Sequence, residues 1–266
     1  AKKDYFEFEP FLIEHFNRLY GAKEEEYNPM VKVEFLYMIA HASYRNKKFN
    51  QSLEYLSQVT VVLSECAKSF QRQYCVRNTQ LKSANLVFLN RLQEAIEHLD
   101  KLLEEHSFQM KQEEINTMVN LGVYHFLNKE YKKSQALLNS MSHSDNWYKK
   151  IMGMEWVLKK NLMEIILFLE LEYIDLAEAK IRSVERNYGG VKGNPNYKKA
   201  YDFLSLIKGY INNYHGPRSG LKETIIQGLD FVPYQQEDIQ AMAFYAWIKS
   251  KAVQKDFYPT LLGLIR

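Results

Sequence analysis

Cysteine is nearly missing from this chain, with only Cys66 and Cys75 in 266 residues. Two thiols make neither a disulfide framework nor a metal-ligand spacing, and they fit a reducing, cytoplasmic setting. Glycine and proline are also sparse, at 11 and 6, fewer than a sheet-rich fold with many tight turns would use. Charge of one sign is lacking too. The formal net charge is +3, too small to argue for nucleic acid or membrane binding from the whole chain. No signal peptide or long apolar run opens the sequence. Its most apolar stretch, Leu162–Leu171, is too short for a membrane span and carries Glu164 and Glu170. The start at Ala1-Lys2-Lys3, without an initiator Met, leaves room for an upstream segment.

Catalytic signatures are absent as well. There is no His-Glu-x-x-His, no Gly-x-Ser-x-Gly and no Walker loop. Gly189-Gly190-Val191-Lys192-Gly193-Asn194 imitates a phosphate cradle, but it lacks a preceding strand and a Lys-Ser/Thr ending, so it reads as a helix–helix loop. Glu94 and His98 lie one turn apart, with Glu105 further along, yet no third ligand has convincing spacing for a metal. The reading is a non-enzyme with no cofactor and no metal.

What the chain does have is helix-forming residues in abundance, chiefly Leu, Glu, Lys, Gln and Ala. It also has enough apolar material, 46% of residues, for a large core. This predicts an all-α fold. The stretch Met118–Met141 shows the pattern in its clearest form, as two short amphipathic helices joined at Asn128-Lys129-Glu130. Met118, Leu121, Gly122 and Phe126 share one face, and Tyr131, Ser134, Leu138 and Met141 share another. Gly122 and Ser134 are small where the helices cross, and Tyr131 opens the second helix.

The same pattern recurs along the chain. Leu36, Ile39 and Ala40 answer to the first-helix face, and Phe49, Ser52, Leu56 and Val59 to the second helix. Ser83 stands at the glycine position of the next unit, with Leu92, Ala95, Leu99 and Leu102 after it. A further unit gives Ile174, Ala177, Ile181 and Val184. The residues opening the second helices are therefore 49, 92, 131 and 174, at intervals of 43, 39 and 43.

A Leu-Gly pair, an aromatic about nine residues later and a small residue three beyond it resemble a tetratricopeptide (TPR) repeat. The consensus repeat has 34 residues. Each pair here is longer by roughly 1.5–2.5 helical turns. The resemblance implies a single domain over residues 1–266, built as a right-handed superhelix (an α-solenoid) of about six antiparallel helix pairs with a concave face lined by the first helices. Residues 5–20 read as a capping helix with Pro10 near its start or at a kink. Asn28-Pro29 is a helix-start signal after the acidic Glu24–Glu26. Asn146–Glu170 reads as one long helix capped by Asp145, and 188–196 as a softer join. Helices are expected over Tyr197–Asn212, from Pro217 to Pro233, and in a last pair, Gln235–Gln254 and Asp256–Ile265.

The resemblance also implies a binding face. TPR proteins present peptide-facing residues at the second, fifth, sixth, ninth and twelfth positions of the first helix. Counted with Gly122 as the eighth, the candidates include Tyr37, Met38, His41 and Tyr44, then Arg77 and Gln80, then Asn116, Asn120 and Phe126. Tyr37, Tyr44 and Phe126 are the aromatic anchors, and Arg77, Gln80, Asn116 and Asn120 the hydrogen-bonding groups for an extended peptide. The Lys-Asn-Asn-Lys-Arg carboxylate clamp of chaperone-binding TPR proteins is not reproduced, which disfavours chaperone C-termini as ligands. The competing reading packs the aromatics against neighbouring helices.

Arg182–Lys222 holds eight Lys or Arg against Glu185 and Asp202, interleaved with Tyr188, Tyr197, Tyr201 and Tyr214. An RNA strand or an acidic peptide would suit such a stretch, but solvated lysines and core tyrosines account for it without either partner. The expected function is a non-catalytic interaction module, a scaffold or adaptor that holds a protein or peptide segment in its concave face. The alternative is the peptide-sensing part of a bacterial-type regulator whose output domain lies upstream.

Overall fold

The fold begins at its corners. In a computed structural model that describes residues 5–21, 28–105, 108–212 and 239–265, the first three helices are α1 (Tyr5–Tyr20), α2 (Pro29–Arg45) and α3 (Phe49–Leu63). They are followed by α4 (Lys68–Phe88), α5 (Leu92–Glu105), α6 (Lys111–Leu127), α7 (Tyr131–Ser140), α8 (Asp145–Met152), α9 (Met154–Glu170) and α10 (Ile174–Tyr188). Then come α11 (Lys198–Asn212), α12 (Ile239–Val253) and α13 (Phe257–Ile265). No strand occurs among the described residues. Residues 49, 92, 131 and 174, the four positions expected to open second helices, are the first residues of α3, α5, α7 and α10.

The same turn precedes all four. Lys47, Asn90, Lys129 and Glu172 stand two residues before the helix start, each in the left-handed region at φ 61–62°. The next residue donates its backbone N–H to a carbonyl five residues back. The pairs are Lys48 to Ser43 (2.9 Å), Arg91 to Leu86 (2.9 Å), Glu130 to His125 (2.8 Å) and Tyr173 to Phe168 (2.8 Å). This is the Schellman arrangement, which satisfies carbonyls orphaned at the end of the first helix. Before α13 a fifth copy is looser, with Gln254 at φ 52° and Lys255 donating to Ser250 at 3.0 Å.

Each corner aims the second helix back along the first, and small residues let the two meet. Three residues past the first residue of each second helix stand Ser52, Ala95, Ser134 and Ala177, all fully buried. Seven past it come Leu56, Leu99, Leu138 and Ile181, all at 5% exposure or less. On the first helices Ala40 and Ser83 are fully buried and Gly122 is buried at the equivalent place. In the fourth pair that place is Ile165, so only Ala177 is small there. Successive helices pack pairwise, α2 on α3, α4 on α5 and α9 on α10, with α12 on α13 last. This is a helical repeat-like arrangement.

The chain divides into two compact units, Ala1–Thr117 and Met118–Arg266. In the first, Val33, Leu36, Val59, Val62, Leu63 and Tyr74 form the core, with Phe16, Tyr37, Tyr55 and Phe70 packed against it. Asn28 caps α2, its side chain accepting from the Met30 N–H at 3.0 Å, and Pro29 occupies the first turn, as the sequence predicts. Helix α1 is pinned by a buried carboxylate. Glu9 accepts from Ser43 Oγ (3.0 Å) and Asn46 Nδ2 (2.5 Å), and Lys48 Nζ lies 3.0 Å away. A charge so placed costs heavily unless it is paired, and three partners from the α2–α3 corner supply that pairing. Pro10 lies inside α1.

In the second unit the apolar run is buried as expected, with Leu162, Met163, Ile165, Ile166, Leu167 and Leu169 at 7% exposure or less. The long helix expected over Asn146–Glu170 is two helices. Gly153, at φ 87°, breaks it between α8 and α9. The N-cap is Ser144, whose hydroxyl accepts from the Trp147 N–H at 3.3 Å. Asp145 is engaged elsewhere, accepting from Asn161 Nδ2 and Tyr188 Oη, both at 3.0 Å. Trp247, fully buried on α12, donates Nε1–H to Glu170 at 2.6 Å. The stretch 188–196 carries two short 3-10 turns, Gly189–Val191 and Pro195–Tyr197. The acidic Glu24–Glu26 and the helix expected from Pro217 to Pro233 lie outside the described residues.

Candidate functional site

In the first unit, three first helices turn one face each toward a common cleft. Helix α2 contributes Tyr37, Met38 and His41, α4 contributes Arg77 and Gln80, and α6 contributes Gln112, Glu113 and Asn116. Tyr37 and His41, Arg77 and Gln80, and Gln112 and Asn116 are spaced by three or four positions, so each of these pairs shares a face. Met110, just before α6, and Tyr5 and Phe8 of α1 complete the wall. The cavity is about 450 Å³, within the usual range for a ligand pocket.

Six of the nine residues named as candidates are therefore brought together: Tyr37, Met38, His41, Arg77, Gln80 and Asn116. Three are not. Tyr44 sits in an aromatic cluster with Phe49 and Phe88, at ring-centroid distances of 5.9 and 6.1 Å. Phe126 is 2% exposed and packs against Tyr131 and Phe257, so it belongs to the core rather than to a groove. Its twelfth position lies at the corner, where the second helix folds back over it. Asn120 is half-buried in the second unit.

The floor of the cleft is polar and partly committed. Arg77 Nε donates to Glu113 Oε1 at 3.1 Å, and the guanidinium lies 5.4 Å from the Tyr74 ring centre. Gln80 spends both amide hydrogens on the Glu113 carbonyl (2.8 Å) and Thr117 Oγ1 (2.7 Å), which leaves its own carbonyl oxygen as the open group. Asn116 has no side-chain hydrogen-bond partner among the described residues. Tyr37 stands edge-on to Tyr74, with centroids 5.7 Å apart. Burial pushes its phenol up to about 12, with Arg77 opposing and Tyr74 and Glu113 adding. The phenol therefore stays a neutral hydrogen-bonding group at any physiological pH.

The rim is apolar. Phe8, Met38 and Met110 are 42%, 38% and 38% exposed, so flexible and aromatic surface surrounds a hydrogen-bonding floor. Sequence reasoning missed Tyr5, Phe8, Met110, Gln112 and Glu113. The alternating Tyr5-Phe6-Glu7-Phe8 was a signal, since a helix that serves only as a cap has little use for outward phenylalanines. Glu113 lies before the first counted position of its helix, where the family's pattern is silent.

Of the basic stretch, Tyr214, Arg218 and Lys222 lie outside the described residues, and Lys198 and Lys199 are exposed. Tyr188 and Tyr201 of the basic stretch are 6% exposed, and Tyr201 Oη bonds to the Tyr188 carbonyl. Lys208 pairs with Glu185 at 2.8 Å, and Arg182 with Glu178 at 3.3 Å. Glu94 is paired with Arg91 at 2.6 Å. No described helix is long and apolar enough to cross a membrane. No protein-family model matches the chain, and no curated protein does either.

Proposed function

We propose that this chain is a non-catalytic interaction module whose first unit holds a peptide segment of a partner protein in the cleft between α1, α2, α4 and α6. One observation carries the reading: residues on three successive first helices, chosen by repeat position alone, line a single cavity with an apolar rim. Asn116 and the Gln80 carbonyl supply hydrogen bonds for an extended backbone, and Phe8, Met38 and Met110 supply adaptable apolar contact. The proposal extends to architecture, with TPR-type pairs stacked in a right-handed sense, about six in all. The repeated corner and the small residues after it support that stacking.

The test is selection of a random-sequence peptide library on the whole chain, followed by titration of the enriched peptides against variants. Asn116→Ala is expected to weaken binding by on the order of thirtyfold, the effect of losing a hot spot, with an unchanged melting temperature. Enriched peptides that bind Asn116→Ala and Met38→Asp as well as the parent chain would place the interaction on another surface.

A further inference from the structure

We infer that the cleft is selective for an uncharged, apolar stretch from the interior of a peptide chain and rejects a free carboxylate. The inference rests on the peptide-binding reading above and assigns the chemistry of its ligand.

Glu113 carries the argument. It lines the cavity and is 6% exposed, yet only Oε1 is engaged, by Arg77. Oε2 is buried and has no hydrogen-bond partner among the described residues. A buried acceptor left unpaired is costly, and most native ones find a donor. The last torsion of a glutamate side chain is broad, so the carboxylate can turn Oε2 toward a donor that a ligand brings into the cleft. The fork of Arg77 can follow such a turn and keep its bond.

Charge decides which donor. The guanidinium of Arg77 is already paired with Glu113, and the described lining holds no lysine and no second arginine with which to hold an incoming carboxylate. Such a group would meet the unpaired Oε2 in a poorly solvated place, where like charges repel strongly. An ammonium would gain from Glu113 but would stand beside Arg77. A peptide amide suits both: its N–H satisfies Oε2, and its carbonyl accepts from the Arg77 guanidinium, which otherwise faces Tyr74 and the weak Met110 Sδ acceptor at 3.9 Å. The side chains flanking that amide then meet Phe8, Met38 and Met110, which favours apolar ones.

The experiment uses three probes with one apolar body, a leucine–phenylalanine–leucine tripeptide. One is blocked at both ends, one has a free C-terminal carboxylate, and one has a free N-terminal amine. Binding to the whole chain is followed through the methyl resonances of Met38 and Met110. The doubly blocked probe is expected to shift both methyls and to bind about tenfold more tightly than the carboxylate form, the ratio that one lost buried hydrogen bond with added repulsion produces. Glu113→Gln, which removes the negative charge, should narrow that ratio to roughly threefold or less. The ranking of probes on the parent chain needs no variant, so the inference stays testable if Glu113→Gln folds poorly. If the carboxylate or amine form binds as tightly as the blocked one while Met38 and Met110 respond, the selectivity is wrong and the cleft remains the binding site. If all three leave both methyls unmoved, the peptide-binding reading falls with it.

Discussion

Ser52 donates its hydroxyl to the main-chain carbonyl of Ala40 at 2.7 Å, across the crossing of α2 and α3. The same hydroxyl accepts from Asn85 Nδ2 on α4 at 2.9 Å. One small side chain therefore ties three helices at a fully buried point. Ser134 holds the equivalent place in the third pair, but its buried hydroxyl has no hydrogen-bond partner among the described residues. Ser52→Ala is expected to lower stability by about 1–3 kcal/mol, because Asn85 loses an acceptor it cannot replace from water. Ser134→Ala should be neutral or slightly stabilising. Chemical denaturation of the two variants checks the contrast, and equal losses would show that side-chain size alone matters at this position.

Gly122 invites a second comparison. A Cβ built there would meet Leu138 Cδ2 at 3.8 Å and Leu137 Cβ at 3.9 Å, ordinary contact distances. The crossing therefore has room for one methyl group. Gly122→Ala should raise stability by about 0.5–1 kcal/mol through helix propensity. Gly122→Leu should overpack the crossing and lower it by about 1–3 kcal/mol. Thermal melts of both variants decide, and a destabilised Gly122→Ala would reveal a tighter crossing than the distances allow.

Tyr37 and Asn116 share the cleft but not their consequences. Tyr37 packs against two core clusters as well as lining the cavity, so Tyr37→Ala should cost about 3–5 kcal/mol, as large aromatic truncations do. Tyr37→Phe should keep most of that. Asn116→Ala should leave the melting temperature within experimental error. A melting curve for each variant separates the wall from the hydrogen-bonding floor.

Acid should act on the third corner. Hydrogen bonds from Lys133, His125 and Asn128 hold the Glu130 carboxyl down at about 2. A folded-state value below the unfolded one means that this stabilisation is fully present above about pH 4.5 and is lost as pH falls through about 2. Between about pH 5 and pH 2 the parent chain should therefore lose more stability than Glu130→Gln. Glu130 is about one-third exposed, so solvent screening keeps the difference modest. Denaturation midpoints for both proteins across that range test the sign, and parallel curves would remove Glu130 from the account.

The left-handed corners offer a further test. Glu172 holds φ 61° with a side chain that has a Cβ, a conformation that costs other residues energy and glycine almost none. Glu172→Gly should stabilise the chain by about 0.5–1 kcal/mol, and Glu172→Val should destabilise it by more. The opposite order in denaturant midpoints would mean that the corner is held by the Glu172 side chain and not by the backbone.

The sequence was most legible where the determinants are local. A large residue after each corner, a small one three later and an apolar one seven later sit within one stretch, so Phe49, Leu92, Tyr131 and Ile174 could be placed to the residue. Gly153 was missed because its neighbours continue an apolar helical pattern, which hides a break that depends on one dihedral. The cleft was half legible. Tyr37, His41, Arg77, Gln80 and Asn116 follow from repeat position, whereas Phe8 and Glu113 enter through the packing of α1 and the start of α6, which no periodicity encodes. Phe126 and Tyr44 show the reverse error. An aromatic on a first helix looks the same in sequence whether it faces a groove or the returning second helix.

The corners also say how such a chain can change its length. Lys47 and Asn90 share one backbone state, as do Lys129 and Glu172, and each pair is 43 residues apart. Because each corner is closed by main-chain atoms, the turn itself does not depend on which side chains lie between the corners. Duplicating or excising the span from one corner to the next in the gene would return the polypeptide to the helix it had left, with its small residues in register for the next neighbour. The period of this molecule is thus a unit of growth, and insertions that respect it should be tolerated where shorter ones are not.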